Sequence, residues 1–293
     1  MTETVSRRRL LAGGVVTAAA ALAGCVAAGS REVQEDETET FAVDDLESVS
    51  VGARNGQLTV RSEDREMIAV RRVARAASED DAENVWLEST QTGDRLDLAV
   101  EREDSPGLIR IGPNPRMDLE VTVPEGFEVE RAAVRNGTVD VADVAGPLVV
   151  EARNGIVEIR DVDGDLTATA RNGTVDVAGV AGPLTAETRN GPVELANVAG
   201  DVDVRTRNGA VDVTAVDGDV EVQTRNGEVS LEVPSTLDAV IGISTRNGEI
   251  SVDGIDDLES TSGDSSFHGT AGDGSRRIDL ETRNGAVTVR GLE

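Results

Sequence analysis

Lysine and tyrosine are absent from this chain of 293 residues, and cysteine, histidine and tryptophan occur once each. A single cysteine, Cys25, makes an internal disulfide impossible. Aromatic residues amount to 1% of the chain, so a core has to come from many small contacts, and its abundant valine favours strands. The apolar and aromatic platforms of sugar sites are missing for the same reason. Cations are scarce: 28 against 56 acidic residues, every one of them arginine. That imbalance argues against nucleic acid as a partner, because its phosphates would be repelled.

Such an acidic surface stays soluble through self-repulsion and dense hydration. Without lysine it resembles the surfaces of halophilic, archaeal-type proteins, where molar salt screens repulsion within about 3 Å. An acidic exterior in an ordinary organism is the other reading.

The first residues read as an address. In "SRRRLLAGGVVTAAAALAGC", Arg7, Arg8 and Arg9 precede an uncharged run from Leu10 to Ala23. That run falls short of the roughly 20 residues of a membrane span and suits a signal-peptide core. "SRRRLL" resembles the twin-arginine export motif, with Arg7 and Arg8 as its pair. Leu22-Ala23-Gly24-Cys25 resembles a lipobox, in which Cys25 carries lipid and becomes the mature N-terminus. An uncleaved hydrophobic anchor is the alternative, and either reading places the rest of the chain outside the cytoplasm. Residues 1–24 are thus expected to be a signal peptide. Residues 25–40, ending in the acidic "REVQEDETET", are expected to be a lipidated, flexible tether to the membrane's outer face.

The body is dominated by one tripeptide. Arg-Asn-Gly occurs nine times, and five successive intervals from Arg135 to Arg225 are each 18 residues. The corners so marked are Arg135, Asn136, Gly137; Arg153, Asn154, Gly155; Arg171, Asn172, Gly173; Arg189, Asn190, Gly191; Arg207, Asn208, Gly209; and Arg225, Asn226, Gly227. In "RNGTVDVAGVAGPLTAET" (Arg171 to Thr188), apolar residues at positions 5 and 7 and at 14 and 16 alternate with polar ones, which is strand periodicity. Asn-Gly tolerates the positive φ of tight turns. An array of hairpins needs no fixed register, whereas a β-solenoid does, because each coil stacks on the last at about 4.8 Å. The constant period therefore predicts an all-β fold, a β-solenoid (β-helix) of about 18-residue coils over residues 135–293. Residues 41–134 read as an irregular β-rich opening region that caps it. Residues 254–275 read as a polar loop bulging from one corner before the motif resumes, and "RNGAVTVRGLE" as a partial last coil without an obvious cap.

"MDLEVTVPEGFEVERAAVRNGTVDV", followed by Asn-Gly-x-Val-x-Val coils, resembles a domain-of-unknown-function family labelled "putative adhesin". The match runs over roughly residues 45 to 293 and includes Val121 to Pro124. The resemblance implies a surface-exposed β-helical protein and brings no catalytic residues. Arginine ahead of the Asn-Gly pairs is this chain's own departure.

A column of corner arginines has two readings. In one, position-6 acids (Asp140, Glu158, Asp176, Glu194 and Asp212) lace it together while asparagine amides bond from coil to coil. In the other, the stripe binds a repeating anion such as an acidic glycan of the cell envelope. "DVDGD" (Asp161 to Asp165) is an acidic turn without the distal glutamate of a calcium loop, so no metal and no cofactor is expected. Ser265, Ser266 and His268 look superficially like hydrolase residues, but loop neighbours rarely supply triad geometry. The expectation is a non-catalytic structural or adhesive surface lipoprotein, with the membrane, envelope components and other surface proteins as partners. The alternative is a β-helical enzyme or binding module acting on acidic envelope polysaccharide.

Overall fold

The computed structural model describes residues 33–103 and 115–292. Arg7, Arg8 and Cys25, with the whole export segment, lie outside them. The chain opens with β1 (Val33–Ala42), β2 (Ser48–Glu63), β3 (Met67–Ala76), a short helix α1 (Glu79–Glu83), β4 (Val85–Thr92), β5 (Arg95–Arg102) and β6 (Arg116–Pro124). The long strands β7 (Glu128–Ala145) and β8 (Leu148–Asp163) follow. Next come paired short strands: β9 (Leu166–Asn172) and β10 (Val175–Val180), β11 (Leu184–Asn190) and β12 (Val193–Val198), β13 (Val202–Asn208) and β14 (Val211–Val216), β15 (Val220–Asn226) and β16 (Val229–Pro234). The last are β17 (Ala239–Asn247), β18 (Ile250–Asp253), β19 (Leu258–Ser262), β20 (Ser266–Ala271), β21 (Arg276–Asn284) and β22 (Val287–Leu292).

The fold is a β-solenoid. Strand β11 pairs in parallel with β9 and β13, and β12 with β10 and β14, each residue facing the one 18 positions away. Valine columns explain the register: Val175 faces Val157 and Val193, and all three are fully buried. A slip of one residue would turn every such side chain to solvent. The core is one continuous cluster of valine, leucine, isoleucine and alanine, with Phe267 as its one buried aromatic. Small residues suffice because each coil needs to fill only the narrow space between its two strands.

In the five coils that begin at Arg135 to Arg207 the ninth residue kinks the chain in left-handed geometry, with φ of 57° at Asp143, 53° at Asp161, 73° at Gly179, 56° at Asn197 and 52° at Ala215. Asp, Asn and Gly tolerate that conformation, and Ala215 adopts it at a cost of about 1–2 kcal/mol.

The stack departs from the expected order at both ends. Residues 33–40, expected as tether, belong to β1, which runs antiparallel to β3. Charge pairing explains the difference: Arg71 holds Asp36 at 2.7 Å and Arg72 pairs with Glu37, so an acidic segment finds a basic partner strand. Nor is 41–134 irregular throughout. Strand β2 is a full coil stacked on β7, aligning Asn55 with Asn136, and β5 and β6 lie on its other side.

At the far end the last coil in sequence is not the last in space. Strands β21 and β22 pair with β15 and β16 on one side and with β17 and β18 on the other. The coil of Arg283 therefore sits between those of Arg225 and Arg246. The 254–275 segment is correspondingly not a bulging loop: β19 and β20 form an antiparallel hairpin whose β20 pairs with β17. Phe267 anchors it, 6% exposed, and alternate residues of β20 are buried. This hairpin covers the edge of β17, which answers the missing cap.

Candidate functional site

The repeated corner is where the sequence concentrates its chemistry, and its geometry follows from glycine upward. Gly173 has φ 152°, and a Cβ there would lie 1.6 Å from the carbonyl oxygen of Gly155 in the next coil. Gly155 stands in the same relation to Gly137, at 1.7 Å. Only hydrogen fits where backbones stack this closely. Beneath this turn, buried threonines Thr188, Thr224, Thr245 and Thr282 donate to glycine carbonyls of neighbouring coils, at 3.1 to 3.5 Å. The Thr206 hydroxyl is buried without a partner.

Outside the turn runs an unbroken asparagine ladder. Each Nδ2 donates to the Oδ1 of the preceding coil: Asn136 to Asn55, Asn154 to Asn136, Asn172 to Asn154, and Asn190 to Asn172, at 2.7 to 2.8 Å. The chain of bonds continues through Asn208, Asn226 and Asn284 to Asn247, at the same distances. It follows the spatial order of the coils, passing to Asn284 before Asn247. All point one way, so their dipoles add.

Beside the ladder stand the arginines. Arg54 pairs with Glu101 at 2.8 Å. Among the described residues, the other eight corner arginines make no ion pair, in contrast to the expected lacing. Two of the position-6 acids are engaged elsewhere: Asp176 takes both ends of the Arg160 guanidinium at 2.8 and 3.0 Å, and Asp140 meets Arg61 at 3.3 Å. They project from the face of the second strand, while the arginines project at the corner before it. Arg135, Asn136, Arg153, Asn154, Arg171, Asn172, Arg189 and Asn190 line one open groove of about 520 Å³.

The model of the Toastrack DUF4097 family matches residues 46–290. The chain belongs to that family. Among solved structures, a "putative adhesin" from Bacteroides fragilis NCTC 9343 is 14% identical over 89% of this chain and 97% of its own, with a TM-score of 0.47. One from Parabacteroides distasonis ATCC 8503 is 11% identical over 87% of this chain and 97% of its own, with a TM-score of 0.34. A "putative cell adhesion protein" from Clostridium sporogenes ATCC 15579 is 10% identical over 89% of this chain and all of its own, at 0.26. No curated protein matches this Toastrack chain.

The other candidate residues of the Toastrack domain lie apart from the edge. His268 is exposed on β20, opposite Gly242 and Thr261, and Ser266 shares its face of the strand. A second groove, of about 290 Å³, is lined by acids at the opposite turn, including Asp201, Asp203, Asp219, Glu221 and Asp279. These carboxylates have structural duties. Asp201 accepts the Asp219 N–H at 2.9 Å, Asp219 accepts the Arg277 N–H at 2.8 Å, and Arg205 and Arg277 hold Asp203 and Asp279. Among the described residues, no three His, Cys, Asp or Glu side chains gather as a metal ion would require. No described helix is long and apolar enough to cross a membrane.

Proposed function

We propose that this Toastrack protein is exported through the twin-arginine route, lipidated on Cys25 and held at the outer face of the cell membrane. There its solenoid serves as a rigid, non-catalytic adhesive surface towards envelope components or other surface proteins. Export and anchoring rest on the sequence of residues 7–25, and the observation that carries the non-catalytic, adhesive part is the placement of the solenoid's chemistry. The distinctive side chains stand in straight external columns, arginine beside asparagine, rather than converging on a cleft. Catalysis needs groups that meet at one reacting atom, and a glycosidase needs two free carboxylates flanking a bond. The acids of the second groove are bound to backbone amides and arginines, which supports a non-catalytic role.

The test is the intact mass of the protein in the membrane fraction, wild type against Cys25→Ser. The expected wild-type mass is that of a chain beginning at Cys25 plus lipid, with the variant released or unprocessed. A full-length, unlipidated wild-type chain in the cytosol would overturn the reading.

A further inference from the structure

A molecule with twice as many acids as bases has no shortage of partners for its arginines. Elsewhere on the surface those partners are found, at Arg71, Arg72, Arg95, Arg160 and Arg205 among others. Along the corner, Arg135, Arg153, Arg171, Arg189 and Arg207 are exposed and make no ion pair among the described residues. The next outward positions downstream, Thr138, Ile156, Thr174, Pro192 and Ala210, carry no charge. Upstream, the same stretch has two acids, Glu151, which Arg131 holds, and Glu187. Like charges one coil apart repel, so an exposed cationic column with a neutral downstream rim is a site awaiting counter-charge.

We infer that this edge is a binding track for a linear polyuronate, an acidic glycan with one carboxylate on each sugar, lying along the stack axis. The inference rests on the surface-adhesive reading above and names its ligand class.

Charge and hydrogen bonding select the class. Adjacent guanidiniums repeat at the strand spacing of about 4.8 Å, because the coils are hydrogen-bonded neighbours. A glycan with a carboxylate on every sugar presents a run of two-oxygen acceptors along its axis, and the long arginine side chains reach those that face the edge in the forked geometry in which arginine binds carboxylate most firmly. An extended acidic peptide brings carboxylates but no ring hydroxyls for the asparagine amides. A single-stranded nucleic acid relies on aromatic stacking platforms, and this edge has none, whereas an acidic glycan meets it through charge and hydrogen bonds without the platforms of neutral sugar sites. The asparagines complete the fit. From Asn136 to Asn208 each amide uses one N–H and one oxygen lone pair within the ladder, which leaves a second N–H and a second lone pair for sugar hydroxyls. The five arginines from Arg135 to Arg207 span about 19 Å at that spacing.

The experiment measures binding of the purified chain from Cys25 onward to galacturonate oligomers, from dimer to dodecamer, in the lowest salt that keeps the protein folded. Affinity should rise with length and level off once an oligomer spans the five arginines from Arg135 to Arg207. The variant Arg153→Gln/Arg171→Gln/Arg189→Gln should bind at least about tenfold more weakly. Arg160→Gln/Arg205→Gln/Arg277→Gln, which removes the same charge off the edge, should leave affinity within about twofold. Circular dichroism checks that both remain folded. Absence of wild-type binding, affinity independent of length, equal losses in the two variants, or tighter binding of polyglutamate or a single-stranded oligonucleotide would each overturn the inference. None of these results bears on Cys25 processing, so the tethering proposal stands or falls separately.

Discussion

At the scale of single residues the corner is a set of linked necessities. Glycine at its third position lets two backbones touch, asparagine at the second joins them by side chain, and arginine at the first faces outward. Gly173→Ala places a methyl group 1.6 Å from a neighbouring carbonyl oxygen and forces φ 152° on an L side chain. A loss of about 3 kcal/mol or more is expected, read as the midpoint shift in chemical unfolding. The outer face offers a pH test. Partial burial, then Glu228 and Glu232, hold the Asp212 carboxyl above its usual value of 3.8. A folded-state value that is raised means the native protein takes up the proton more readily than the unfolded chain. The charged form therefore costs stability, and the cost grows as pH rises from 3.8 through the folded value. Asp212→Asn should be more stable than wild type at neutral pH and show no advantage below 3.8, as unfolding midpoints across that range will show. The two corner residues that bond inward, Asn and Gly, were legible from repetition alone. The freedom of the arginines was not, because the sequence supplies a position-6 acid in each coil from Arg135 to Arg207 and only geometry shows that it does not pair with them.

At the scale of elements, the hairpin of β19 and β20 protects an edge that would otherwise template further strands. Phe267, across from Ile243, is its anchor. Phe267→Ala should cost about 3 kcal/mol, with hydrogen-exchange protection lost over β17 to β20 and kept in β9 to β14. Asp238 fixes the entry to the next strand by accepting the N–H groups of Gly274 at 2.6 Å and Ser275 at 3.1 Å. These bonds hold its carboxyl below the usual range. Polar composition hid this hairpin: "LESTS" alternates weakly, and the burial of Phe267 and Ala271 becomes visible only once β17 is in place. The same holds for β1, whose acids look like a tether until the arginines of β3 are set beside them. The 18-residue coils needed no such context, since Val-x-Val and Asn-Gly recur at fixed spacing.

At the scale of the whole molecule, stability in a solenoid is close to a sum over neighbouring coils, so the order of stacking decides what a truncation removes. The repeat could not reveal that order. Ile241, Ile243 and Thr245 present nearly the same pattern as Ile278, Leu280 and Thr282, and either coil would satisfy Val220, Val222 and Thr224. The one local trace is the spacing of 21 rather than 18 residues between Arg225 and Arg246, which lengthens the link and lets the chain step past a vacant position. The returning strands β21 and β22 then fill it. A chain ending at Ser275 therefore lacks an internal coil, not a terminal one. Strand β18 loses its one partner, β22, and β17 keeps only β20. Limited proteolysis of that truncated chain should cut between residues 235 and 275 while the coils from β7 to β14 resist. Removal of a terminal coil would leave everything before it protected, so resistance across 239–253 would show that the Arg246 coil had moved into the vacant place.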